Sequence, residues 1–294
     1  MSDNRIEADL LRTTIKIESI PRFPGQNAIG SGFFVTSPPF VENIDQRWWF
    51  LVTNKHIVGD WSLADGDIQE FYRVLRLFCY GSDSQLIVPI EIELTDSAGK
   101  LLPDRVLLHP DPSVDVALVF IPVIKVPFDR LSIMSFDPSY LLKFAQIENH
   151  LMGLGDQVFA LGYPMGITSL TTSHPIAKSG YLSTVPGQTF GMDITGKRRN
   201  GVPIKRRLEG KVCLVDGLIV PGNSGGPVIL PSDLRVRRDP VNNQLQVATQ
   251  NLKNLVIGIV SMSLANSGLS LVFASDYIIE IIDAFTARFK SLLS

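Results

Sequence analysis

Cysteine is nearly absent: Cys79 and Cys213 are the two in the chain. Each sits between apolar neighbours, Phe78 and Tyr80 around the first, Val212 and Leu214 around the second. That is the setting of a buried free thiol in a strand, and it excludes a small scaffold stapled by several disulfides. Long hydrophobic runs are also missing. The most apolar stretch, Val116–Ile124, is about half a membrane span and is broken by Pro122. The first residues carry Asp3, Glu7 and Asp9 and lack the cationic start and apolar core of a signal peptide. A cytoplasmic protein without a membrane partner is expected. An excess of one charge is lacking too, since 27 basic against 29 acidic residues leave a net −2. Such a balance gives no electrostatic reason to expect nucleic acid. One local exception is the basic segment 197–207, with Lys197, Arg198, Arg199, Lys205, Arg206 and Arg207. It reads as a solvated loop before it reads as a docking site for an acidic partner.

What is present is ordinary globular material, 45% hydrophobic and 19% charged. The apolar residues fall in short runs separated by turn clusters. Residues 13–20, 30–36, 47–54, 71–79, 86–94 and 115–121 read as strands in the first part of the chain. Residues 126–155 break this rhythm with Pro127, Pro138, Gly153 and Gly155, leaving a weak helical patch around Tyr140–Ile147. Strands return at 157–162, 175–184, 211–216, 227–230, 255–262 and 270–274. The polar stretch 232–252 reads as a surface excursion that extends a hairpin. Ile278, Ile282, Phe285 and Phe289 recur at helical spacing, so a closing helix is expected, with Ser275 or Asp276 as N-cap.

Three segments carry chemistry. The first is Pro221-Gly222-Asn223-Ser224-Gly225-Gly226-Pro227. A serine hydroxyl is a poor nucleophile, and acyl transfer creates an oxyanion. Such a serine must sit on a tight loop whose N–H groups converge beside it, here those of Gly222 and Ser224. The second is Phe50–Val58, an apolar run that delivers His56 into a turn. Its imidazole has the intrinsic pKa to take the serine proton and return it. The third is Ser113–Val119, in which Asp115 opens an apolar strand. A carboxylate there is costly to bury unless a histidine N–H satisfies it. His109, His150 and His174 have no comparable frame and read as hydrogen-bonded structural histidines.

Taken together, in the order His, Asp, Ser, these segments resemble the trypsin-like serine peptidases, most closely the HtrA/Deg-type branch. Gly30-Ser31-Gly32-Phe33-Phe34-Val35 resembles its first hairpin. Leu161-Gly162-Tyr163-Pro164-Met165-Gly166 resembles its Gly-x-Pro-x-Gly turn, and Ser179–Ser183 the strand that follows. The resemblance implies an all-β fold of two six-stranded antiparallel β-barrels with a C-terminal α-helix. The first barrel would take residues 1–125, a linker 126–155, the second barrel 156–274 and the helix 275–294. It further implies a serine endopeptidase with His56, Asp115 and Ser224 as triad and Gly222 and Ser224 as oxyanion donors, needing no metal or cofactor. The chain departs from the pattern at Asn223, where an aspartate would pair with a freed N-terminal amine. No PDZ domain is expected after its closing helix.

By the same resemblance, Leu218, Ile219, Val260, Ser261 and Met262 line the pocket for the residue before the cleaved bond. None is acidic, so an apolar side chain is expected there rather than Lys or Arg. The substrate would be a polypeptide, with an activating protein partner as one mode of control. The rival readings are a silent binding or scaffold protein on the same fold and an esterase using the same triad.

Overall fold

The structure is a computed structural model of the chain. It describes residues 8–23, 27–39, 46–64, 66–82, 87–122, 130–168, 174–186, 188–197, 202–217, 220–232, 235–238, 244–248, 253–264 and 267–293.

The first half holds α1 (Ala8–Leu11), β1 (Thr14–Ile20), β2 (Ala28–Thr36), β3 (Trp49–Thr53) and α2 (Lys55–Val58). It continues through β4 (Gly59–Trp61), β5 (Ile68–Phe71), β6 (Val74–Tyr80), β7 (Ile87–Glu93), β8 (Val106–Leu108) and β9 (Ala117–Ile121). Seven of these strands form one antiparallel sheet in the order β7-β6-β1-β2-β3-β9-β8, and β4 pairs separately with β5. The second half holds β10 (Gln157–Gly162), β11 (Ile176–Leu182), β12 (Thr189–Lys197), β13 (Pro203–Asp216) and β14 (Pro227–Leu230). It ends with β15 (Arg235–Arg238), β16 (Leu245–Ala248), β17 (Leu255–Ser263), β18 (Leu269–Ala274) and α3 (Asp276–Leu293). Its sheet runs β11-β10-β14-β17-β18-β13-β12, and an added β11–β13 pairing closes the ring. That ring contains six strands, and β12 lies outside it as the free arm of a long hairpin. The protein is a double β-barrel with a C-terminal helix.

Alternation decides which way each side chain goes. In β2 and β3, Phe34 and Leu51 point into the first barrel, with Ile15, Ile17, Leu75 and Leu77. Their neighbours Phe33, Val35, Phe50 and Val52 point outward, into a core shared with Ile229, Ile259 and Phe273 of the second barrel. Strands buried on both faces read as continuous apolar runs, as β3 and β9 do. The second barrel encloses its own core around Val158, Cys213, Val228, Val260 and Val272. Each fully buried Leu, Ile or Phe contributes about 1.5–3 kcal/mol of transfer free energy.

The closing helix follows the second barrel in sequence but docks on the first. Phe285 stacks edge-on against Trp48 and Phe50, with ring centroids 5.3 and 5.2 Å apart. Neither expected cap residue caps the helix through its side chain. Ser275 donates its hydroxyl to the carbonyl of Leu142, and Asp276 accepts from Phe144 N at 2.8 Å and Lys211 Nζ at 3.0 Å. Both side chains reach buried residues of the 131–156 connector, whose Leu142 carbonyl and Phe144 N–H would otherwise lack partners, and Asp276 also meets the half-exposed Lys211 of β13. The connector forms three single 3₁₀ turns, Pro138–Tyr140, Phe144–Gln146 and Glu148–His150. It serves as a packed strap, with Phe144, Ile147 and Met152 in the second core. The basic segment, expected as a loop, is largely strand: β12 pairs with β13 from Thr189↔Lys211 to Lys197↔Pro203. Between them, residues 198–201, with Arg198 and Arg199, lie outside the described residues. The 232–252 stretch holds the β15–β16 hairpin.

Candidate active site

The ladder β3–β9 sets the first half of the site. Thr53 pairs with Ala117 at its end. The chain then leaves β3 into the single turn α2 and leaves the strand register just before β9, which brings His56 and Asp115 together. His56 Nδ1 lies 2.7 Å from Asp115 Oδ2, and the His56 backbone N–H donates to Oδ1 at 3.3 Å. Asn54, also buried, donates its side-chain amide to the Asp115 carbonyl at 2.6 Å. The carboxylate is wholly buried, whereas the imidazole is 29% exposed at the mouth of a cleft.

Ser261 on β17 completes the carboxylate's environment, its hydroxyl donating to Asp115 Oδ2 at 2.7 Å. Burial alone would raise the Asp115 pKa, but the His56 charge and these hydrogen bonds together hold it below the usual carboxylate range. Burial alone would lower the His56 pKa, but the charge of Asp115 and its hydrogen bond outweigh that and leave it raised. The pair makes the imidazole a stronger base than an ordinary histidine. Beside it, Lys55 is buried with its ammonium donating to the Asp111 carbonyl at 2.8 Å. Burial pulls its pKa down to about 8, against the opposing charges of Asp115 and Asp111.

The second barrel brings the loop between residues 220 and 226. Gly222 and Gly225 have φ of +98° and +89°, which side chains rarely adopt. At Gly225 a Cβ would also lie 2.0 Å from the Ser31 carbonyl, so contact with β2 admits no side chain there. Ser224 donates its hydroxyl to the Ser261 carbonyl at 2.8 Å, and its own carbonyl accepts from Ser31 N at 2.8 Å. Asn223 is buried. Both polar atoms of its side-chain amide are buried without a hydrogen-bond partner among the described residues, and a carboxylate there would add an uncompensated charge.

His56 and Ser224 face one cleft of about 560 Å³. Its walls are Trp61, Ser62 and Leu63 from the first barrel, and Val220, Pro221, Ser261, Met262 and Ser263 from the second. Of the residues expected to bind substrate, Ser261 and Met262 are there. Val260 is not: its side chain packs inside the second barrel, because β17 turns alternate residues inward. Leu218 and Ile219 lie outside the described residues. The first-barrel wall was missed. Trp61 and Leu63 follow His56 closely in sequence, and that proximity was the available signal.

The remaining histidines have structural roles. His109 pairs with Glu280 at 3.0 Å and stacks on Tyr277, and His174 packs edge-on against Tyr80. His150 is buried in a 3₁₀ turn. Both cysteines are free and buried, and burial pushes each thiol pKa up to about 12. Among the described residues no group of His, Cys, Asp and Glu could hold a metal ion. Among the described residues no helix is long and apolar enough to cross a membrane.

No curated protein matches this chain. Among solved structures it is similar to the Rv3671c protease of M. tuberculosis in its active form, at 18% identity and a TM-score of 0.48. That match covers 94% of this chain and 82% of the other. The inactive form of the same protease matches at 18% identity and a TM-score of 0.47, covering 96% and 93%. Residues 30–236, most of the chain, match the family described as the trypsin-like peptidase domain. The chain belongs to that family and is a serine protease.

Proposed function

We propose that the protein is a serine endopeptidase in which Ser224 is the nucleophile, His56 the general base and acid, and Asp115 the group that orients His56. The observation that carries this reading is the 2.7 Å contact between His56 Nδ1 and the buried carboxylate, at the mouth of the cleft that Ser224 also lines. Holding Nδ1 on Asp115 leaves Nε2 as the nitrogen that receives a proton. The Ser224 hydroxyl turns from the Ser261 carbonyl toward that nitrogen and attacks a peptide carbonyl. The N–H groups of Gly222 and Ser224 stabilise the resulting oxyanion. His56 then protonates the leaving amine, and water hydrolyses the acyl-enzyme by the same route in reverse.

Specificity follows from the cleft. Trp61, Leu63, Val220, Pro221 and Met262 give it apolar walls, and among the described residues that line it none is acidic. Such a surface takes an aliphatic or small aromatic side chain and leaves a Lys or Arg charge without a partner. The experiment is cleavage-site profiling on a peptide library, with Ser224→Ala as control. Apolar residues before the cut, absent in the control, support the reading. Cleavage that persists in Ser224→Ala contradicts the triad, and a Lys/Arg profile contradicts the pocket.

A further inference from the structure

Ser31 belongs to β2 of the first barrel, but its polar atoms serve the nucleophile loop of the second. It is wholly buried. Its hydroxyl donates to the Gly222 carbonyl at 2.6 Å and accepts from Tyr163 N at 3.0 Å. Its backbone N–H donates to the Ser224 carbonyl at 2.8 Å. Its carbonyl accepts from Thr53 Oγ1 at 2.9 Å, which ties it to the strand that leads to His56.

Resting on the peptidase reading above, we infer that Ser31 is a positioning residue for the oxyanion donors, acting from the opposite barrel through the Gly222 carbonyl. A peptide unit is planar, so fixing where its carbonyl points also fixes where its N–H points. The Pro221 carbonyl accepts from Met165 N at 2.7 Å, which turns the Gly222 N–H to the other side of that peptide. The Ser31 hydroxyl holds the next unit by its carbonyl, and the Asn223 N–H on the opposite side donates to Val220 O at 3.2 Å. The Asn223 carbonyl accepts from Gly226 N at 3.0 Å, which sets the Ser224 N–H. Every peptide from 221 to 224 is thus pinned through its carbonyl, and only the pin at Gly222 is a side chain. At that position φ is +98° and no Cβ resists rotation, so without the Ser31 hydroxyl the unit would keep only its 3.2 Å bond from Asn223 N–H to Val220.

The consequence is that the oxyanion donors depend on how the two barrels dock. Tyr163 strengthens the coupling: its N–H rests on Ser31, and its phenol donates to the Thr14 carbonyl at 3.2 Å on β1. One hydroxyl therefore couples β2, the turn after β10 and the nucleophile loop.

The test uses the full chain as wild type, Ser31→Ala and Ser31→Cys. Cysteine keeps the shape of serine but is a weak donor and acceptor. The readouts are kcat and KM on one apolar peptide, peptide affinity in a Ser224→Ala background, and amide hydrogen exchange over residues 220–226. Ser31→Ala is expected to lower kcat about 10- to 100-fold, a fraction of what a lost oxyanion donor costs. KM, peptide affinity and the pH limb of His56 should stay within about twofold of wild type. Ser31→Cys should behave like Ser31→Ala, and loop amides should exchange at least about tenfold faster while β1 and β3 are unchanged. Wild-type kcat in Ser31→Ala, full activity in Ser31→Cys, or unchanged loop exchange would each overturn the inference. Should Ser31→Ala fail to fold, kcat and exchange of Ser31→Cys decide alone. A wild type that turns over no peptide sinks the peptidase reading instead, and the exchange rates still decide the role of Ser31.

Discussion

Ser224 is joined to Ser261, its hydroxyl donating to the Ser261 carbonyl, and the Ser261 hydroxyl in turn donates to the same Asp115 oxygen that His56 approaches. One residue of β17 thus faces both the nucleophile and the carboxylate. Removing its hydroxyl leaves Asp115 with one donor fewer in a fully buried place, where an unmet acceptor costs about 1–3 kcal/mol. Ser261→Ala is predicted to lower kcat about tenfold and to destabilise the fold by about 1–2 kcal/mol. Steady-state kinetics and urea unfolding check both.

The pH profile follows from the His56–Asp115 pair. An imidazolium cannot accept the serine proton, so activity should be absent at low pH and rise through the His56 pKa. That midpoint should lie above the ordinary histidine value, because the carboxylate outweighs burial. In Asp115→Asn the burial effect remains and the opposing charge is gone. The midpoint should then fall below the ordinary value, with kcat reduced about 10⁴-fold. Rate profiles from pH 4 to 9 measure both, and a midpoint that ignores Asp115→Asn would contradict the pairing.

Lys55 gives a stability prediction with a definite sign. Its folded pKa, about 8, lies below its unfolded value, so the unfolded chain binds more protons between pH 8 and 10. Lys55 therefore destabilises the fold below pH 8, and that penalty disappears as pH rises toward 10. Buried thiols act in the opposite direction over the same range, since Cys79 and Cys213 resist ionising when folded. The comparison must therefore be with Lys55→Met. Relative to that variant, wild type should gain about 2–3 kcal/mol of unfolding free energy from pH 8 to 10. A constant difference across the range would contradict it.

Phe285 fastens α3 to the first barrel through Trp48, Phe50 and Phe120. Phe285→Ala should cost about 3–5 kcal/mol in urea unfolding. His56 and Ser224 lie in another cleft, so kcat of the folded fraction should be nearly unchanged.

Much of this was legible because the chemistry needs rare residues in fixed frames. Ser224 stood out by its glycines, Asp115 by opening an apolar strand, and His56 by closing one. The alternation in β1 and the apolar runs of β3 and β9 also foretold the barrels. Other features left little local trace. The basic stretch around Lys205–Arg207 reads as solvated loop because strand β13 there pairs only with its hairpin partner and stays polar. Ser275 and Asp276 looked like caps, yet Leu142, Phe144 and Lys211, distant in sequence, claim their side chains. Ser31 sat in a recognised hairpin, but nothing near it in sequence indicates that its hydroxyl reaches Gly222.

The most direct test of the account is the site of covalent capture by a fluorophosphonate, read by peptide mass spectrometry on wild type, His56→Ala and Ser224→Ala. The account predicts one adduct per wild-type chain, on Ser224, formed far more slowly in His56→Ala and absent in Ser224→Ala. An adduct on another residue, or equal labelling in His56→Ala, would contradict it.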